Sequence, residues 1–165
     1  MWKNVIKLLH YASLVGLAGG ILVSLVLADT IDATSPSATA GMHAAIALLC
    51  GALIVPSMIL MLLTGMLLVV ARPHLIGARW VWVKATLGVV TGAVILLALQ
   101  PAVKAAAAMS ATGALGEAAP SQLASVVASE HAAAWWTLGL VLFAMVIAVW
   151  RPRFGRPAAR PGEPD

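Results

Sequence analysis

The chain has little charge, few aromatic rings and almost no sulfur able to pair. Asp, Glu, Lys and Arg make up 10% of its 165 residues, Phe, Trp and Tyr 5%, and there is one cysteine. A single thiol has no partner for a disulfide and cannot build a cysteine-rich zinc module, so Cys50 reads as a small buried hydrophobe. A glycine loop of the kind that cradles phosphate, a nucleophile elbow and a pair of catalytic carboxylates are all missing, which removes the common soluble-enzyme chemistries.

What is present is apolar. Hydrophobic residues make up 62% of the chain and the mean hydropathy is +1.00, far from the balance of a soluble domain. The charges cluster and leave four apolar tracts at about 5–28, 44–71, 81–103 and 132–150, each near the roughly 20 residues needed to cross hydrocarbon. Inside lipid the backbone amides have no water to pair with, so tracts of this length cross as helices. The sequence therefore predicts an all-α fold, a transmembrane antiparallel four-helix bundle forming one domain over 1–150. The tail 151–165, rich in proline and base, is expected to stay disordered. The first tract is longer than a signal-peptide core and carries His10, so it is expected to remain as a spanning helix.

The excess of base over acid, formally +4, would suggest an acidic partner in a soluble protein. Here its placement reports topology instead, and no nucleic-acid partner is expected. All Lys and Arg residues except Lys104 fall before the first span, around the turn between the second and third, or after the fourth. By the positive-inside rule both termini are cytoplasmic, and Asp29, Asp32, Glu117 and Glu130 face outward. The expected setting is a bacterial cytoplasmic membrane, with the lipid bilayer as the first partner and other membrane subunits or a second copy as further ones.

Within the first span Ala12, Gly16, Gly20 and Ser24 recur every four residues, a ridge of small side chains that admits a neighbouring helix. His10 lies beside that ridge and is expected to point inward. Pro56 is expected to kink the second span, with Ser57 and Thr64 bonding the carbonyls it frees. In the third span Trp80, Lys84, Gly88 and Thr91 share a face, and that helix is expected to run on to about Met109. Residues 29–41 and 110–128 read as outer loops, the second with a short interfacial helix near 121–129.

Ionisable groups at membrane depth are costly, so each one is a candidate for function. They fall into two layers. His10, Thr64, Gly65 and Lys84 form an inner layer. His43 and His131, at the expected heads of the second and fourth spans, form an outer one with Glu130, Asp29 and Asp32 close in sequence. A b-type haem needs an inward imidazole and room beside it. His10 is the candidate axial ligand to iron, Gly16, Gly20 and Gly88 the space, and Lys84, Lys7 or Arg79 the partners of propionates. No second axial histidine is evident at that depth: His74 sits lower, in the turn, and reads as a solvated residue, while Met61 or Met66 can substitute only if their faces point inward. His43 and His131 are candidate ligands of an outer haem or copper site. Against these stand blander readings: His10 hydrogen-bonded across the bundle, Lys84 snorkelling to the headgroups, His43 and His131 as interfacial polar residues, and Glu130 as a solvated helix start.

Three short motifs in the first three spans carry a resemblance. They are K-x-x-H at Lys7–His10 followed by Gly19-Gly20, L-L-T-G at Leu62–Gly65, and W-V-K at Trp82–Lys84. The chain resembles the superfamily of small bacterial membrane proteins that includes HemJ-type protoporphyrinogen oxidases and CopD-like copper-resistance proteins. The Tyr, Leu, Pro and Arg run that follows the first-helix histidine in HemJ-type sequences is absent here. The resemblance implies a haem-binding four-helix protein in which the residues matching His10 and Lys84 are functional, Lys84 in a catalytic role. Three readings follow: a haem b or porphyrin-handling oxidoreductase acting on porphyrinogen or quinone, a non-catalytic membrane anchor or assembly subunit with no cofactor, and a copper-handling protein using His43 and His131.

Overall fold

The computed structural model describes residues 2–31, 35–71, 77, 79–112 and 119–150. Asp32, the turn holding Arg72 and His74, the breakers Gly113 and Gly116 with Glu117, and the tail after Trp150 lie outside the described residues.

All of the described secondary structure is helical. We label the helices α1 (Trp2–Asp29), α2 (36–70), α3 (Arg79–Ala111) and α4 (Ala119–Trp150). Each contains a stretch long and apolar enough to cross a membrane. At about 1.5 Å per residue even the shortest runs on the order of 40 Å, so the helices exceed a hydrocarbon core of about 30 Å and extend into the headgroup zone.

They also outrun the expected spans at one end. α2 opens at Pro36 behind Ser35, and α4 opens at Ala119-Pro120, in stretches read as loop. Proline at a first helical turn is favourable, because its missing N–H has no partner there in any case. The expected interfacial helix near 121–129 is therefore the first part of α4. α3 continues through its alanines to Ala111.

Two prolines lie inside the long helices. Pro56 and Pro101 cannot donate to the carbonyls four residues back, and their rings would collide with them. In each case a π-helical turn precedes the proline, Cys50–Ile54 in α2 and Ile95–Leu99 in α3. Its wider bond runs from the Val55 N–H to the Cys50 carbonyl and from the Gln100 N–H to the Ile95 carbonyl. The helix continues through a one-residue bulge. Thr64 does not serve the Pro56 break as expected, since its hydroxyl donates to the Leu60 and Met61 carbonyls at 2.6 and 3.2 Å.

The core is one apolar column with Leu17, Ile21 and Leu25 from α1, Ile46, Cys50, Ile54 and Met58 from α2, Ile95, Leu99 and Val103 from α3, and Leu138 and Val141 from α4. Large apolar side chains also cover the outside. Leu97 is 80% and Val149 85% exposed, an arrangement that suits lipid and not water. α1 packs most extensively on the second half of α2, the first half of α2 on the end of α3, and α4 along both α3 and α1. The small ridge of α1 explains its close approach to α2. A Cβ on Gly16 would stand 2.6 Å from Ser57 Oγ, and one on Gly20 2.8 Å from Ile54 Cγ1. Ala12 is exposed, so the ridge starts at Gly16.

Candidate functional site

At the Trp2 end, α1 carries His10 against the Met61–Gly65 stretch of α2. His10 Nδ1 lies 3.1 Å from the Met61 carbonyl and 3.1 Å from Thr64 Oγ1. A carbonyl only accepts, so that bond places the imidazole proton on Nδ1 and leaves the lone pair on Nε2. Gly65 is part of the clasp, since a Cβ there would stand 3.4 Å from His10 Cε1. Ser13 closes the turn below by donating to the His10 carbonyl at 2.9 Å.

Lys84 on α3 is half-buried and within Coulombic range of His10. Its face continues through half-buried Gly88 to buried Thr91, as the spacing predicts. His10, Thr64, Gly65 and Lys84 thus converge from three helices. Arg79 is exposed, and Met66, a candidate second ligand, is 69% exposed and turned outward.

The space expected for a porphyrin is filled. Ser57, Leu53 and Ile54 occupy the surroundings of Gly16 and Gly20, Leu62 sits 3.2 Å from the Cβ position of Gly88, and Met58 lies 3.2 Å from that of Gly92. The faces of Gly16, Gly20 and Gly88 thus serve contact between helices.

At the opposite end the structure buries Glu130, read as a solvated helix start, and His43, read as an interfacial polar residue. His43 and Glu130 are each 3% exposed. α2 starts seven residues before His43 and α4 eleven residues before Glu130, so both lie about two to three turns inside their helices. His43 Nδ1 is 3.9 Å from Glu130 Oε2. His131 faces away from this pair and approaches Asp29 on α1, Nε2 to Oδ1 at 3.6 Å. The two outer histidines therefore meet different carboxylates. Among the described residues no group of three or more His, Cys, Asp or Glu side chains comes together as a metal site needs.

The burial of Glu130 was missed in the sequence because its surroundings there are alanine and serine, which mark neither face of a helix. The usable signal was the four-residue spacing of Glu130, Ala134 and Leu138, which continues the buried stripe of α4. No family model, curated protein or solved structure matches the chain.

Proposed function

We propose that this is a multi-pass protein of a bacterial cytoplasmic membrane, an antiparallel four-helix bundle with both termini cytoplasmic. Its working site is the His10–Lys84 layer, which binds an acidic, membrane-soluble small molecule at the cytoplasmic headgroup level. Lys84 attracts the carboxylate and His10 Nε2 accepts a proton. A porphyrin or porphyrinogen, apolar with acidic side chains, has this chemistry, and here it is a passing ligand and not a resident haem.

The observation that carries the reading is the clasp on His10. An imidazole that bonds the Met61 carbonyl through Nδ1 presents a fixed, unprotonated Nε2, and an ammonium stands within reach of its charge. Such a base beside a cation at membrane depth is expensive unless it is used. Kinship with the HemJ and CopD-like proteins is part of the proposal, supported by the convergence of residues from its three motifs, His10, Thr64, Gly65 and Lys84.

The test is binding of protoporphyrin IX to the purified protein in lipid nanodiscs, followed by porphyrin fluorescence. Saturable binding weakened at least about tenfold by Lys84→Ala, restored in part by Lys84→Arg, and weakened by His10→Ala supports it. Binding indifferent to all three overturns it. A second reading, a non-catalytic subunit of a larger membrane assembly, is favoured by the closed interior and predicts co-purification with fixed partners and no porphyrin binding.

A further inference from the structure

Two ionisable side chains at the Asp29 end are sealed in the bundle with nothing in direct contact to justify it. His43 Nδ1 and Glu130 Oε2 are buried from solvent and neither has a hydrogen-bond partner among the described residues. Three buried hydroxyls are treated differently. Ser24, Thr91 and Thr137 are equally buried, and each donates to a carbonyl one turn back in its own helix. Those hydroxyls cost little, whereas an unbonded imidazole nitrogen and carboxyl oxygen carry the full expense of lost hydration.

The separation of 3.9 Å is too long for a direct hydrogen bond. It is short enough for one water to span, with two legs of about 2.8 Å. Such a water has the imidazole nitrogen and the carboxyl oxygen as two of the two to four partners that it needs.

Charge decides what the pair holds. With the imidazole neutral and the carboxyl ionised, the site would bury an uncompensated negative charge, and with both protonated a positive one. Only the states containing one shared proton are neutral overall, and burial strongly favours them. Imidazole is the stronger base by about two pH units in water, whereas burial favours a neutral imidazole beside a protonated carboxyl over an ion pair, so the pair holds the proton jointly.

The charged and titratable groups from every packed element leave this balance intact. On α1, Asp29 is 73% exposed at its side chain and is engaged by His131 of α4, one-third exposed. On α2, Cys50 is a buried thiol within Coulombic range of Glu130. On α3, Lys104 is exposed and lies within Coulombic range of Cys50.

We propose that His43 and Glu130 form a buried proton-binding site, holding one exchangeable proton and a bridging water between α2 and α4. Loading and release move a proton through the water to or from the pair, with no other bond changed. The site stands apart from the His10 layer and survives or fails independently of it.

The experiment uses the full chain in lipid nanodiscs with nitrogen-15-labelled histidine, His43 being assigned by the His43→Gln variant. The expected result is one proton held by the pair at neutral pH, on the His43 imidazole or the Glu130 carboxyl, with a His43 protonation midpoint that changes by about one pH unit or more in Glu130→Gln, while the His10 titration is unmoved. A neutral His43 together with an ionised Glu130 at pH 6, read from its carboxyl carbon-13 signal, or a His43 midpoint indifferent to Glu130→Gln, overturns the proposal. Should Glu130→Gln not fold, the Glu130 carboxyl carbon-13 signal is titrated in wild type and in His43→Gln. A change of its midpoint by a similar amount supports the site, and an unchanged midpoint overturns it.

Discussion

Ser57 Oγ on α2 occupies the spot beside Gly16 of α1 where any larger residue would put its Cβ, 2.6 Å away. In lipid there is little hydrophobic drive between helices, so closeness of this kind is what holds them together. Gly16→Ala is expected to destabilise the bundle by about 1–3 kcal/mol, the usual range for overpacking. Ser57→Gly should recover most of that loss by vacating the spot. Gly20→Ala meets Ile54 Cγ1 instead and should not be rescued by Ser57→Gly. Gly19, with nothing within 4 Å of its Cβ position, is the control: Gly19→Ala should be neutral. Unfolding in mixed micelles measures all four, and a destabilising Gly19→Ala with a silent Gly16→Ala would refute the interface.

Thr64 accepts from His10 Nδ1 while donating along its own helix. Thr64→Val removes one of two acceptors, and the Met61 carbonyl remains. The expected cost is about 0.6 kcal/mol, typical of interhelical bonds in membranes, and below 2 kcal/mol. His10→Phe removes the imidazole donor to both Met61 and Thr64 and crowds Gly65, and should cost more. If Thr64→Val is as damaging as His10→Phe, Thr64 is the principal anchor of His10 and the tautomer assignment loses its basis.

The filled glycine faces predict a protein without its own haem. Purified from cells grown with haem precursors, it should show no Soret band, oxidised or reduced. A Soret band abolished by His10→Ala would mean that α1 and α2 part to admit a porphyrin, which the Gly16–Ser57 and Gly20–Ile54 contacts oppose.

How much of this was legible in the sequence depended on how sharply the residues discriminate a face or an end. Four apolar tracts separated by charge gave the number of helices, because hydropathy responds to the bilayer itself. The inward turn of His10 and the shared face of Lys84 and Thr91 were legible too, since glycines and valines around them set the period. Helix starts were not, because Pro36 and Pro120 look like loop residues until their place in a first turn is known. That error carried through to the chemistry: with α2 and α4 started too late, His43 and Glu130 stood at the surface and not deep in the bundle. The meeting of Nδ1 and Oε2 is a tertiary fact that no local pattern encodes.

Topology can be tested without removing the native cysteine. Cys50 is 2% exposed and lies within the core, so the wild-type protein should not react with a membrane-impermeant maleimide. New cysteines at Ser37, at the start of α2, and at Ala111, at the end of α3, are both at exposed positions and lie on the side that has Lys104 as its one basic residue. Gly77 is exposed too, but sits between Arg72 and Arg79. Since the membrane is crossed most readily by the less basic loops, Ser37→Cys and Ala111→Cys should label in intact cells, and Gly77→Cys only after lysis. Labelling of Gly77→Cys from outside, with Ser37→Cys protected, would invert the bundle. It would also move the His10–Lys84 layer to the outer face, where a cytoplasmic porphyrin could not reach it.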